Sequence, residues 1–164
     1  MRQVYELNTT TPIRSHRRPY TPEDSNPLTW WRMLPPHFFR DTERLLLRVT
    51  LENLAVIDGG KDVAAALKGD PAAAVTVALS LIPLRELTLP ADISMTALLS
   101  CTLNGDRASG LVMSHILGCA QWGDPGAEEL GLAWLERHIA HPIERFAVIE
   151  AALAAAFARD APQA

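Results

Sequence analysis

Cysteine is scarce in this 164-residue chain, where Cys101 and Cys119 are the only two. Two thiols cannot build the disulfide framework that holds small secreted domains together. The N-terminus carries no apolar segment resembling a signal peptide, and the uncharged runs are too short or too broken by proline to span a bilayer. The sequence therefore predicts a cytoplasmic protein with reduced thiols and no membrane partner. Lysine is rare as well: thirteen of the fifteen basic residues are arginine, a bias that fits a GC-rich bacterial source. No CxxC or HExxH spacing occurs, and Gly59-Gly60-Lys61 lacks the remainder of a phosphate-binding loop and follows a helical pattern rather than a strand. Neither paired carboxylates nor a Ser-His-Asp arrangement can be assembled. No catalytic residue, metal or other cofactor is expected on these grounds.

What the chain does contain is apolar mass. Hydrophobic residues make up 48% and charged residues 21%, the composition of a globular domain rather than a disordered one. Charge is distributed unevenly. Residues 1–48 carry eight basic and five acidic side chains, whereas residues 49–164 carry seven and fourteen. An acidic body argues against general nucleic-acid binding. The cluster Arg14, His16, Arg17, Arg18 is too small to reverse that reading and is expected to be a solvated patch.

Six of the twelve prolines fall within residues 1–36. Proline lacks an amide hydrogen and restrains its predecessor to extended conformations, so residues 1–36 are read as an extended arm without a helix. The segment 26–40, NPLTWWRMLPPHFFR, holds Trp30, Trp31, Phe38 and Phe39, four of the ten aromatic residues. Each such side chain gains about 1.5–3 kcal/mol on burial, so the second half of the arm is expected to lie down on the body. A strap within the chain is one outcome. The other is an anchor for a partner protein, centred on Trp30, Trp31 and Arg32 with Phe38 and Phe39, because Trp and Arg are favoured at interaction hot spots.

From Pro36 onward the pattern is helical. Leu47, Leu51 and Leu54 recur at helical spacing opposite Arg44, Arg48 and Glu52, which predicts a helix over 37–58. A short helix is expected over 61–68. Asp70-Pro71 starts another that runs to about Ile82, while 84–90 is ambiguous. Further helices are predicted over 91–103, over 107–121 with Asp106 as its cap, over 125–140 from the start signal Asp124-Pro125, and over 143–159. Gly69-Asp70-Pro71 and Gly123-Asp124-Pro125 share capping chemistry rather than a repeat. The fold class is all-α: a compact helical bundle of about six helices with an extended proline-rich N-terminal arm, arranged as an arm over 1–36 and a single helical domain over 37–164.

No charged residue occurs over 71–84, 93–105 or 108–123. Helices apolar on all sides belong in the middle of a bundle, so these three are expected inside, with 37–58 and 125–140 as the outer shell. Small residues there (Ala72, Ala73, Ala74, Ala78, Ala97, Gly110, Gly118) should admit close backbone approach. The 143–159 segment has a stripe of Phe146, Ile149, Leu153 and Phe157, and a homodimer through it is a second partner expectation.

His115 and Cys119 lie four apart and share a helix face. Their position on a charge-free segment predicts burial, which would raise the thiol pKa and keep it inert. Together with His138 and His141 they offer zinc-ligand types, but an antiparallel neighbour would place the latter two at the wrong end. The polar tip at Asn104, Gly105 and Asp106 is explained by capping, which leaves Arg107 as a candidate surface contact. The leading expectation is a protein-interaction, adaptor or regulatory domain without catalytic activity. A metal-dependent or cysteine-based enzyme is the alternative.

Overall fold

The computed structural model of the protein describes residues 26–54 and 60–139. Every regular element among them is helical. Two short 3-10 helices, Pro27–Arg32 and Pro36–Phe38, precede six α-helices: α1 (Asp41–Glu52), α2 (Gly60–Leu67), α3 (Pro71–Ser80), α4 (Leu89–Leu103), α5 (Arg107–Gly118) and α6 (Ala127–His138). The basic cluster at 14–18, the 143–159 stripe and His141 lie outside the described residues.

Local chemistry sets most of the helix ends. The Asp70 carboxylate accepts from the amides of Ala72 and Ala73, with Pro71 in the first turn of α3. Thr88 accepts from the Ala91 amide at the start of α4, and Asp106 accepts from the Ser109 amide at the start of α5. Gly69 and Gly105, just beyond the ends of α2 and α4, have φ of +90° and +96°, the left-handed conformation that glycine adopts without a Cβ clash.

Several boundaries differ from the sequence expectation. The helix expected over 37–58 stops at Glu52 with Asn53 as its cap, the one expected over 107–121 stops at Gly118, and three starts are displaced. Residues 27–32 are not extended: Asn26 accepts from the Leu28 amide, Pro27 supplies the first-turn φ, and no proline intervenes before Pro35. Pro36 opens only a single 3-10 turn, because Arg40 is extended and restarts the helix at Asp41, with Glu43 accepting from the Arg40 amide at 3.0 Å. Asp124 does not cap α6 directly. Its carboxylate accepts from the Gly126 amide at 2.8 Å, closing a turn that delays the helix to Ala127.

α4 is the axis of the fold. Eleven of its fifteen residues are buried, and it packs against α1, α2, α3, α5 and the first 3-10 helix. Met95, Leu98 and Leu99 have no solvent exposure. The other two charge-free helices are not enclosed on all sides. α3 exposes Ala72, Thr76 and Ser80, and α5 exposes His115 and Gly118. Absence of charge marked them as interior, yet alanine and neutral polar side chains also make a solvent face without any charge to betray it.

α5 and α6 run antiparallel at close range. The His138 ring lies over Gly110 near the start of α5, while Gly131 meets Ser114 and Gly118 toward its end. Ser114 Oγ donates to Gly131 O at 2.6 Å. A Cβ on Gly131 would stand 2.9 Å from Ser114 O and 3.0 Å from Gly118 N, both backbone atoms that cannot swing aside. Gly131→Ala should therefore force the helices apart and cost about 1–3 kcal/mol, read as a lower midpoint in urea unfolding. An unchanged midpoint would show that the contact yields freely. Gly118 supplies one of those backbone atoms, as the close approach expected there requires, but a Cβ of its own would meet nothing within 4 Å because it would point away from α6.

Candidate functional site

The aromatic segment is tied to the first turn of α4. Trp31 Nε1 donates to Asp92 Oδ1 at 2.9 Å, and Arg32 brings Nε to the same oxygen at 3.0 Å and Nη2 to Oδ2 at 3.3 Å. Beneath them, Thr96 Oγ1 lies 2.6 Å from Asp92 O and 3.0 Å from Leu28 O. Trp31 stands edge-on to Trp122 at 5.5 Å, Trp30 edge-on to Phe39 at 6.2 Å, and Phe39 lies 5.7 Å from Trp134. Trp30, Trp31 and Phe39 are buried in the chain's own core. Within the described residues this segment is a strap, held at one carboxylate by two donors whose charge and geometry suit it.

Of the six residues considered for a partner contact, Trp30, Trp31 and Phe39 thus face inward and Arg32 is half-buried against Asp92. Phe38 remains at the surface, its ring 4.6 Å from that of His37. Arg107 is exposed, and its Nη2 lies 3.4 Å from His138 O, where it meets the carbonyl end of α6. That end is also held by Arg137, whose Nη1 donates to Pro36 O at 3.1 Å.

The surface left open lies along α1. Leu47 and Leu51 point into the core, as their spacing predicts. Leu45, Leu46 and Val49 occupy the opposite side and remain 51%, 46% and 43% exposed. Beside them run two adjoining hollows of about 280 and 540 Å³ that share Arg48, Ser100 and Asn104 as lining residues. Leu51, Leu54 and Leu67 give the larger hollow an apolar floor, and Arg44, Arg48 and Lys68 supply cations, with Asp41 and Glu52 as the acids. The charge pattern of α1 announced its inner stripe. The outer apolar stripe was missed because the arginines lie between the two.

A second concave surface separates α5 from α6. It holds about 290 Å³ and is lined by Leu111, Leu132 and Leu135 together with His115, Cys119 and Glu128. Cys119 Sγ lies 3.9 Å from His115 Nδ1 and 4.0 Å from Nε2. Both residues are exposed, contrary to the burial expected from their charge-free helix. α6 crosses α5 on the Gly110, Ser114 and Gly131 side, and the 115–119 side is left to solvent.

Comparison with known proteins finds no matching family model, and no curated protein or solved structure that resembles the chain at a significant level.

His138 is at the opposite end of α5 from the thiol pair, with its ring over Gly110 and Nδ1 3.0 Å from Trp134 O. The His115/Cys119 and His138 groups do not form one site. Among the described residues, no three His, Cys, Asp or Glu side chains converge as metal ligands would. The other thiol, Cys101, is buried in α4, and desolvation first, then the nearby Asp106 and Asp70 carboxylates, push its pKa up to about 11. Among the described residues no helix is long and apolar enough to cross a membrane.

Proposed function

We propose that the protein is a non-catalytic interaction domain that receives an amphipathic helix of a partner protein along α1. The observation that carries this reading is the exposed Leu45–Leu46–Val49 face beside a groove with an apolar floor and a mixed-charge rim. A stripe of large apolar side chains next to a concave apolar floor is how helix-in-groove recognition presents itself. Arg44, Arg48 and Lys68 outnumber Asp41 and Glu52 there, so the matching helix carries acids along the flanks of its apolar face. An acidic body with a locally basic groove directs such a helix to this place rather than elsewhere.

The double substitution Leu45→Glu, Val49→Glu tests the reading. Both positions are well exposed, so each change should alter stability by no more than about 0.5 kcal/mol. Proteins that the wild type captures from its host should be lost from the variant, at an unchanged melting temperature. Retention of the same proteins would refute the site. A variant that unfolds would show instead that this face is covered by the chain itself. Sedimentation of wild type and variant adds the self-association arm: a dimer that the variant dissociates identifies the partner helix as that of a second copy.

A further inference from the structure

We infer that Cys119, with His115 as its base, is a covalent attachment site for neutral aliphatic electrophiles, specifically α,β-unsaturated aldehydes whose tail lies in the α5–α6 groove. This goes beyond the interaction reading and rests on a different face of the molecule. A thiol becomes a nucleophile when a base stands beside it and a reactant can reach it. Cys119 has an exposed side chain opening onto a groove of about 290 Å³, and the His115 imidazole on the preceding turn has its two nitrogens 3.9 and 4.0 Å from Sγ, so a small rotation of the ring brings one of them into line with the thiol.

The position at the end of α5 sharpens the roles. Cys119 is the residue at which the helix stops, where free carbonyls favour a cation and oppose an isolated anion.

The groove selects the electrophile. Leu111, Leu132 and Leu135 provide aliphatic walls, and Leu132 is 55% exposed until something covers it. Glu128 in the same lining disfavours donors that carry phosphate or carboxylate groups. At a water-sized share of about 30 Å³, the groove of about 290 Å³ takes a medium-length hydrocarbon tail rather than a bulky ring system.

In the addition, the imidazole accepts the thiol proton and Sγ bonds to the β-carbon. The electron pair of the carbon–carbon double bond moves toward the carbonyl to give an enolate, and the imidazolium returns the proton to the α-carbon. One S–C bond and one C–H bond form, the S–H bond and the π bond are lost, and nothing leaves. No oxidant or reductant is involved.

The test follows intact mass with time after mixing the full-length protein with 2-nonenal or with propenal, using glutathione as the reference thiol. A single adduct should appear with each aldehyde. It should be absent in Cys119→Ser and unaffected by Cys101→Ser, since the Cys101 thiol is buried and held protonated. Each methylene buried in the groove is worth roughly fourfold in rate. The nonenal-to-propenal rate ratio should therefore exceed that of glutathione by at least about tenfold. Leu132→Ser should lower the nonenal rate and leave propenal unchanged, whereas His115→Ala should slow both. A ratio equal to that of glutathione, a rate as fast in urea-unfolded protein, or adducts that survive Cys119→Ser would each overturn the inference.

Discussion

Trp31→Ala is expected to cost about 3–5 kcal/mol of folding stability, the range for emptying a fully buried indole site. Trp31 has no solvent exposure, stands against Trp122, and donates its only polar hydrogen to Asp92. Trp31→Phe separates two parts of that loss. Phenylalanine keeps most of the apolar contact but cannot donate, which leaves Asp92 Oδ1 with Arg32 as its remaining donor and should cost about 0.5–1.5 kcal/mol for the lost hydrogen bond. Urea unfolding monitored by far-ultraviolet circular dichroism gives both values. A loss under 1 kcal/mol for the alanine variant would mean that the strap does not belong to the cooperative fold. Binding through the indoles would then return as a live reading.

Asp92→Ala should be nearly as damaging, at about 3–5 kcal/mol, because it strips the acceptor from two donors at once. The carboxylate is largely enclosed, and the Arg32 guanidinium that faces it is only partly open to water. Removing one member of such a pair leaves the other charge desolvated without compensation. Asp92→Asn retains an acceptor for Trp31 but no charge for Arg32, so it should fall between wild type and alanine. Combining Asp92→Ala with Trp31→Phe tests whether the residues act together. Their separate losses should overcount the double loss by about 0.5–3 kcal/mol. Strict additivity would indicate that the 2.9 Å contact between Trp31 and Asp92 carries no coupling.

The strap and the groove bear on each other through α1. The first 3-10 helix packs against both α1 and α4, and Trp30 and Leu34 share one buried cluster with Leu47, which helps to hold α1 with Leu47 inward and Leu45 outward. The aromatic segment thus supports the helix that carries the proposed docking face. Its prolines suit that role, since a chain already restrained loses less conformational entropy when it docks.

How much of this was legible beforehand depends on the range of the cause. Helix termini were readable at Asp70, Asp106 and Asn104-Gly105 because a cap is a bond between residues two or three apart. Where a local turn competed, as at Asp124-Gly126 and at Pro36-Phe38, the same signals gave boundaries several residues early. The Asp92 anchor was invisible because its donors lie 60 and 61 residues away. His115 and Cys119 were readable as neighbours but not as surface residues, since helical spacing sets who shares a face and not which face is outside.

The sequence by itself determined the all-helical architecture, the inward turn of Leu47 and Leu51, and the need of the Trp30–Trp31 segment for cover, because periodicity, capping and apolar area act over a turn or two of chain. Tertiary structure alone decided that α4, rather than α3 or α5, is the most enclosed helix, and that Gly131 is where two helices nearly touch. It also decided that the thiol of α5 opens onto a groove while that of α4 is sealed. Those outcomes depend on which helix faces meet, and no residue carries that information until its neighbours in space are fixed.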